Sequence, residues 1–260
     1  MAVQKAIEAE KMHKDDPQNA AEPQRVNRSG SLCPAVKAAD MIGDKWTLLI
    51  MRELLLGASR YNEFQRAMPR ISPTLLSKRL KQMEQDGLLI KKSMVGERAT
   101  EYRLTRCGRE LAPLVNYMSK WGLRWARRRM KDEDLDVGSF MWDFHRTLKT
   151  VELPDGETVF SVTFSDLPTN NKWWLIVEKD IVDLCSDDPG KDVDLYITST
   201  LPVLAQVWMG DSDISASREA DDLTLVGAPP LLRSAEFWFP RSRYANVRPK
   251  RYVGDDNADR

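Results

Sequence analysis

Four side chains between Ser72 and Asp86 have the types and spacing that a nucleic-acid reading surface needs. Thr74, Lys78, Lys81 and Gln85 stand four, three and four residues apart. At about 100° per residue an α-helix gathers all four on one face, opposite an apolar stripe of Leu76, Leu80 and Met83. Lysine, glutamine and threonine can hydrogen-bond base edges or phosphates, and an α-helix fits the DNA major groove. Ser77 lies on the flank. Ser72 is the expected N-cap, with Pro73 at the first helical position. Lys91, Lys92, Arg98 and Arg103 follow on two short alternating segments, where cations suit contact with the phosphate backbone. Two lysines alone would more often be a solvated face; the cationic segments beside them favour DNA contact.

A second chemistry is open at Cys33, directly before Pro34 at an expected helix start. A helix N-terminus and a nearby cation, Lys37, lower a thiol pKa, and the thiolate is the reactive form. Cys33 then reads either as a redox or electrophile switch or as a small helix cap with no sensing role. Cys107 and Cys185 read as packing residues. His13 and His145 are far apart in sequence, and no spacing suggests a metal site. The run Asp183, Asp187, Asp188, Asp192 and Asp194 lacks calcium-loop spacing and reads as a solvated strand edge. There is no glycine-rich phosphate loop and no Ser/His/Asp arrangement, so neither an enzyme nor a cofactor is expected.

The elements that must hold the basic residues follow from the apolar period. Short helices are expected from Pro34 to Met41 and from Lys45 to Leu56, with Trp46, Leu49, Ile50 and Leu54 on one face. A third runs from Tyr61 to Ala67 and a fourth from Ser72 to Asp86, stopped by Gly87. Leu88–Met94 and Arg98–Leu104 alternate like strands around a Val95-Gly96-Glu97 tip. A long helix from about Arg106 to Met130 closes the segment, with a local kink expected at Pro113. Three helices, a hairpin and a helix make the order of a winged helix-turn-helix.

The 260 residues carry 39 basic and 39 acidic side chains, a net charge of zero that speaks against a polyanion partner. That total hides a split. Residues 31–130 hold 20 basic and 9 acidic side chains, a net +11, while residues 131–260 hold 14 and 25, a net −11. The first segment attracts a polyanion and the second repels it. No stretch reaches the roughly 20 apolar residues of a spanning helix, so no membrane partner is expected. The N-terminus lacks a signal-peptide core, and three cysteines cannot form a disulfide framework. The expected location is the cytoplasm.

Residues 33–121 resemble the HxlR-type winged-helix transcription regulators. The matching words are Cys33-Pro34, the run Ile42 to Ile50 (IGDKWTLLI), Arg52-Glu53-Leu54, Tyr61-Asn62-Glu63-Phe64 and Ile71-Ser72-Pro73. They continue with Leu75 to Leu80 (LLSKRL), Asp86-Gly87-Leu88 and Glu101 to Thr105 (EYRLT) before Gly108. The resemblance implies a homodimer on a pseudo-palindromic operator. The Ser72–Asp86 helix would read bases, the wing would touch the backbone, and the first and last helices would dimerise. It also implies that a cysteine at position 33 can act as a redox or electrophile switch.

The last helix supports dimerisation by its own pattern. Leu111, Leu114, Val115, Met118, Trp121 and Trp125 form a wide apolar stripe on a helix longer than one small domain needs. Arg124, Arg127, Arg128 and Arg129 end it, where cations favour a helix C-terminus.

The acidic segment reads as a second domain. Residues 1–30 are expected as a flexible arm, 31–130 as the winged helix, 131–138 as an acidic linker, 139–245 as the second domain and 246–260 as a tail. The expected class is a mainly α winged helix followed by an α+β domain, an antiparallel sheet with helices on one face. The words Asp192 to Thr198 (DVDLYIT), Leu201, Leu204, Val207 to Asp211 (VWMGD) and Leu223-Val226-Gly227 resemble the sterol carrier protein type 2 fold. That resemblance implies an apolar tunnel for a lipid or another hydrophobic small molecule. Trp173, Trp174, Leu204, Trp208, Phe237 and Trp238 are the candidate lining; aromatics of this kind are as readily plain core. The expected function is a homodimeric, sequence-specific DNA-binding regulator under control of such a ligand. The alternatives are a lipid-binding protein whose winged helix serves dimer or protein contacts, and a Cys33-based sensing regulator.

Overall fold

The computed structural model describes residues 32–93, 100–127 and 130–250. The expected arm (1–30), the hairpin tip Val95-Gly96-Glu97, Arg98, Arg128, Arg129 and residues 251–260 lie outside the described residues.

The first half is built from α1 (Pro34–Ile42), α2 (Lys45–Leu55), α3 (Tyr61–Ala67) and α4 (Pro73–Gln85), then a ladder of β1 (Leu89–Ser93) and β2 (Thr100–Leu104). Asp44 caps α2 by accepting from the backbone of Trp46 and Thr47. Ser72 caps α4 by accepting from Leu75 N at 3.3 Å, with Pro73 in the first turn. Gly87 ends α4 at φ +70°, a left-handed conformation that costs glycine little. Ile50, Met51, Phe64, Leu76, Leu80, Met83, Leu88 and Leu89 form the core of this half. Burying each such side chain contributes about 1.5–3 kcal/mol.

The expected long helix is two helices, α5 (Arg106–Glu110) and α6 (Ala112–Ala126). Pro113 sits in the first turn of α6, so it opens a helix instead of kinking one. Gly108 of α5 lies so close to β1 that an added Cβ would stand 2.1 Å from the Leu88 carbonyl oxygen. That contact pins the start of the last helices to the foot of the wing.

The second half opens with α7 (Val137–His145), capped by Asp136, so helix begins inside the expected linker. A five-stranded sheet follows, of β3 (Glu157–Phe164), β4 (Lys172–Glu178), β5 (Ile181–Cys185), β6 (Leu195–Ser199) and β7 (Leu223–Gly227), in the order β5-β4-β3-β6-β7. The expectation of an antiparallel sheet is corrected at its centre, where β3 and β6 run parallel. A parallel pair needs a long crossover, and the β4–β5 hairpin with its following loop supplies it. Helices α8 (Leu201–Met209), α9 (Ile214–Glu219), α10 (Pro229–Arg233) and α11 (Ala235–Trp238) complete the half. Phe160, Leu175, Leu195, Leu204 and Trp238 are fully buried in one core with Phe144 of α7.

The halves are joined by side chains as well as by the chain. Ser139 Oγ donates to the Ala67 carbonyl at 3.3 Å, bringing the start of α7 to the end of α3. Arg127, at the C-cap of α6, pairs with Asp211 and so ties the end of the first half to the second. Residues 246–250, expected as tail, are attached: Lys250 N donates to the Arg124 carbonyl at 2.7 Å. No helix among the described residues is long and apolar enough to cross a membrane.

Candidate nucleic-acid interface

Helix α4 divides as its period requires. Leu76, Leu80 and Met83 are buried, while Ser72, Thr74, Ser77, Lys78, Lys81 and Gln85 are exposed. Five of the six candidate residues therefore share the outer side of one 13-residue helix, and Ser72 caps it. Two of the six also have local roles. Ser72 uses its hydroxyl oxygen as the cap, and Ser77 Oγ donates to the Tyr61 hydroxyl at 3.3 Å. Tyr61 in turn donates to the Pro73 carbonyl at 2.8 Å, fixing the start of α4 against α3. A second clamp ties α4 to α2: Arg79 pairs with Asp44 at 2.8 Å. Asp44 thus caps one helix and aims another. Periodicity does not reveal Tyr61 or the Arg79–Asp44 pair, because both act between helices and leave no repeat in the chain.

The wing is placed beside this face by a third strand-like contact, with Tyr102 N donating to the Ser59 carbonyl at 2.7 Å. The Tyr102 ring meets Phe64 edge-on at 5.9 Å between centroids. Burial, first, and then Glu84 and Tyr61 raise the Tyr102 phenol pKa. In the ladder Lys91 faces Tyr102 and Lys92 faces Glu101. Lys91 and Lys92 are exposed, whereas Arg103 is held by Glu101 at 2.7 Å. Of the described wing cations, the two lysines therefore present the less neutralised charge. Arg98, expected in the same role, lies outside the described residues.

The expected dimer stripe splits in two. Val115 is 4% exposed and belongs to the core of its own half, with Leu111 packed against that core. Leu114, Tyr117 and Trp121 are 46%, 65% and 47% exposed and lie three and four residues apart on the outer face of α6. Met118 and Trp125 are half-buried. Helix α1 contains no buried residue although its sequence is amphipathic.

Cys33 is exposed at the N-cap of α1. Backbone N–H groups of Val36, first, and Ala35 lower its thiol pKa.

The expected ligand pocket is not where the sequence put it. Leu204, Trp174 and Trp238 are packed into the protein, Trp173 is half-buried with its indole N–H on the Asn170 carbonyl, and Phe237 is 61% exposed. Trp238 is 0% exposed and packs on the rings of Phe160 and Phe239 within the core. Of the six, Trp208 borders a cavity of about 510 Å³, and that cavity lies between the two halves. Its lining includes Arg52, Asp143 and Arg146, three part-buried members of an ion-pair ring that closes on the buried Glu53 and that the sequence reading missed. Arg52 pairs with Asp143 at 2.7 Å and with Glu53; Arg146 pairs with Glu53 at 2.8 Å and with Asp143. Burial alone would lower the Arg52 pKa, but Asp143 and Glu53 carry it above the ordinary value. His145, also on the cavity wall, falls to about 4 because burial, and then Arg146, disfavour its charged form. Glu53 was hidden in the sequence as an ordinary helix charge.

Comparison with known proteins bears on the first half. The HxlR-like helix-turn-helix family profile matches residues 41–130. The uncharacterized HTH-type transcriptional regulator YvaP of Bacillus subtilis (strain 168) is 38% identical over 103 residues, covering 38% of this chain and 94% of YvaP. YdeP of the same organism, described in the same terms, is 34% identical over 98 residues, covering 37% of this chain and 76% of YdeP. Among solved structures, the reduced form of the transcriptional regulator YodB from B. subtilis is 29% identical. It covers 35% of this chain and 92% of its own, with a TM-score of 0.32.

Proposed function

This chain belongs to the HxlR-like helix-turn-helix family through residues 41–130, and from that premise we propose that it is a sequence-specific DNA-binding transcription regulator. The observation that carries this reading is the exposed row Thr74, Lys78, Lys81 and Gln85 on α4, with Lys91 and Lys92 of the wing beside it. Helix α4 enters the major groove, and the wing lysines meet the adjacent backbone. Asp44 and Tyr61 hold α4 at a fixed angle, so it docks with little loss of conformational freedom.

The functional unit in this reading is a homodimer. Leu114, Tyr117 and Trp121 of α6 and the unburied α1 are the surfaces it covers. A dimer of this kind protects two half-sites related by two-fold symmetry. Nuclease footprinting on the region upstream of its own coding sequence tests both features. Two protected half-sites about one helical turn, or a multiple of it, apart are expected; protection indistinguishable from unrelated DNA would refute the reading.

The second half, residues 139–245, is the proposed sensor. Its sterol-carrier-like character rests on its sequence words, and ligand control would require different affinity for two states of the dimer. A thiol switch at Cys33 is the second reading, favoured by its exposure and by the backbone N–H groups that lower its pKa. If Cys33→Ser leaves the response of DNA binding to diamide unchanged, the thiol switch is excluded.

A further inference from the structure

The cavity between the two halves has both the size and the lining of a binding site. Its volume of about 510 Å³ falls within the range of small-molecule pockets. Arg52 and Leu55 of α2, Leu56 directly after it, and Val115 and Asn116 of α6 are among the wall residues from the first half. Asp180, Trp208 and Arg243 are among the groups contributed by the second. An occupant would therefore touch both halves at once.

The charges on the wall divide into two sets. Arg52, Asp143 and Arg146 close a ring with Glu53, two cations against two anions, so this set is already neutral. Asp180 and Arg243 are left. Both are exposed, and neither makes an ion pair with another described residue. Asp180 lies in the two-residue turn between β4 and β5, and Arg243 follows the last helix. The rest of the wall mixes apolar side chains, among them Leu55, Val115, Val182 and the Trp208 indole, with polar ones such as Asn116, Thr150 and Tyr244. That indole is fixed because its N–H donates to Thr147 Oγ1 at 2.8 Å.

We propose that this cavity binds a small zwitterion with an aromatic or apolar body. Its carboxylate pairs with Arg243, its ammonium with Asp180, and its body lies against Trp208, Leu55 and Val115. The apolar surface supplies the bulk of the affinity, and the two charges select the ligand class. Each pair is solvent-accessible, so each is worth a factor of roughly 3–5 in affinity, not orders of magnitude. The site is independent of the DNA-binding reading, since the ligand is held without any nucleic acid.

Isothermal titration of the full chain with three probes tests this: L-tryptophan, indole-3-propionate and tryptamine. They share one ring and differ in which charges they carry. L-tryptophan is expected to bind most tightly, by roughly 3–5-fold over either single-charge probe. Arg243→Ala should weaken L-tryptophan and indole-3-propionate by that factor and leave tryptamine unchanged. Asp180→Asn should weaken L-tryptophan and tryptamine and leave indole-3-propionate unchanged. Both residues are exposed, so neither substitution should move the melting temperature. Absence of binding by all three probes at millimolar concentration, or binding that ignores both substitutions, would overturn the proposal.

Discussion

Arg146, the C-cap of α7, donates to Glu53 of α2 at 2.8 Å, and the Glu53 side chain is 1% exposed. The two residues are 93 positions apart and belong to different halves of the protein. Both Glu53 carboxylate oxygens are engaged, one by Arg52 and one by Arg146. Both Asp143 oxygens are engaged by the same two arginines. A buried carboxylate is tolerable only with this degree of compensation.

Removing one partner should therefore be costly. Glu53→Ala or Arg146→Ala is expected to destabilise the protein by about 1.5–3 kcal/mol, because the members left behind lose one of their two charged partners and keep the other. The double variant should lose clearly less than the two single losses combined. Urea denaturation of the four proteins checks this. Additive losses would mean that the pair is not a unit.

The outer face of α6 gives a second expectation. If the proposed homodimer forms through this face, the wild type should sediment as a dimer at micromolar concentration and Leu114→Glu with Trp121→Ala as a monomer. The melting temperature of the monomer should stay close to that of the dissociated wild type, since both side chains are about half exposed in one protomer. A dimer that persists would place the interface elsewhere.

His145 predicts a pH dependence. Its pKa falls from 6.5 to about 4 on folding, because burial disfavours the imidazolium. The unfolded chain then binds the extra proton first, so stability falls as the pH drops from 6.5 and levels off below about 4. The full effect is on the order of 3 kcal/mol. His145→Gln should flatten the wild-type slope between pH 6.5 and 4.5, read as the difference between the two proteins. Equal slopes would assign the pH dependence to other groups.

The first half was largely legible because its signals are local. The stripe Leu76, Leu80 and Met83, the Ser72 cap and the Gly87 stop all lie within 16 residues and are all observed. The second half was less legible because its decisive contacts are long-range. Nothing in β3 or β6 alone says that they pair in parallel, since both read as apolar runs. The break at Leu111 was misread because residues on both sides keep a helical period. The pocket was misplaced because Trp238 and Leu204 have the composition of a ligand wall and the packing of a core. The Glu53–Arg146 ring was invisible, since each member looks like a surface charge on its own helix.

The base-reading role of α4 is tested most directly by fluorescence anisotropy on an upstream duplex and on a scrambled duplex of equal length. The wild type and Lys78→Ala/Lys81→Ala are compared at two salt concentrations. Both side chains are exposed, so folding should be unaffected. Affinity for the upstream duplex should fall by roughly 100-fold, the sum of two contacts of about 1–3 kcal/mol each. The preference over scrambled DNA should largely disappear, and the salt dependence should become shallower. Undiminished preference for the upstream duplex in the double variant would contradict the assignment of α4 as the reading helix.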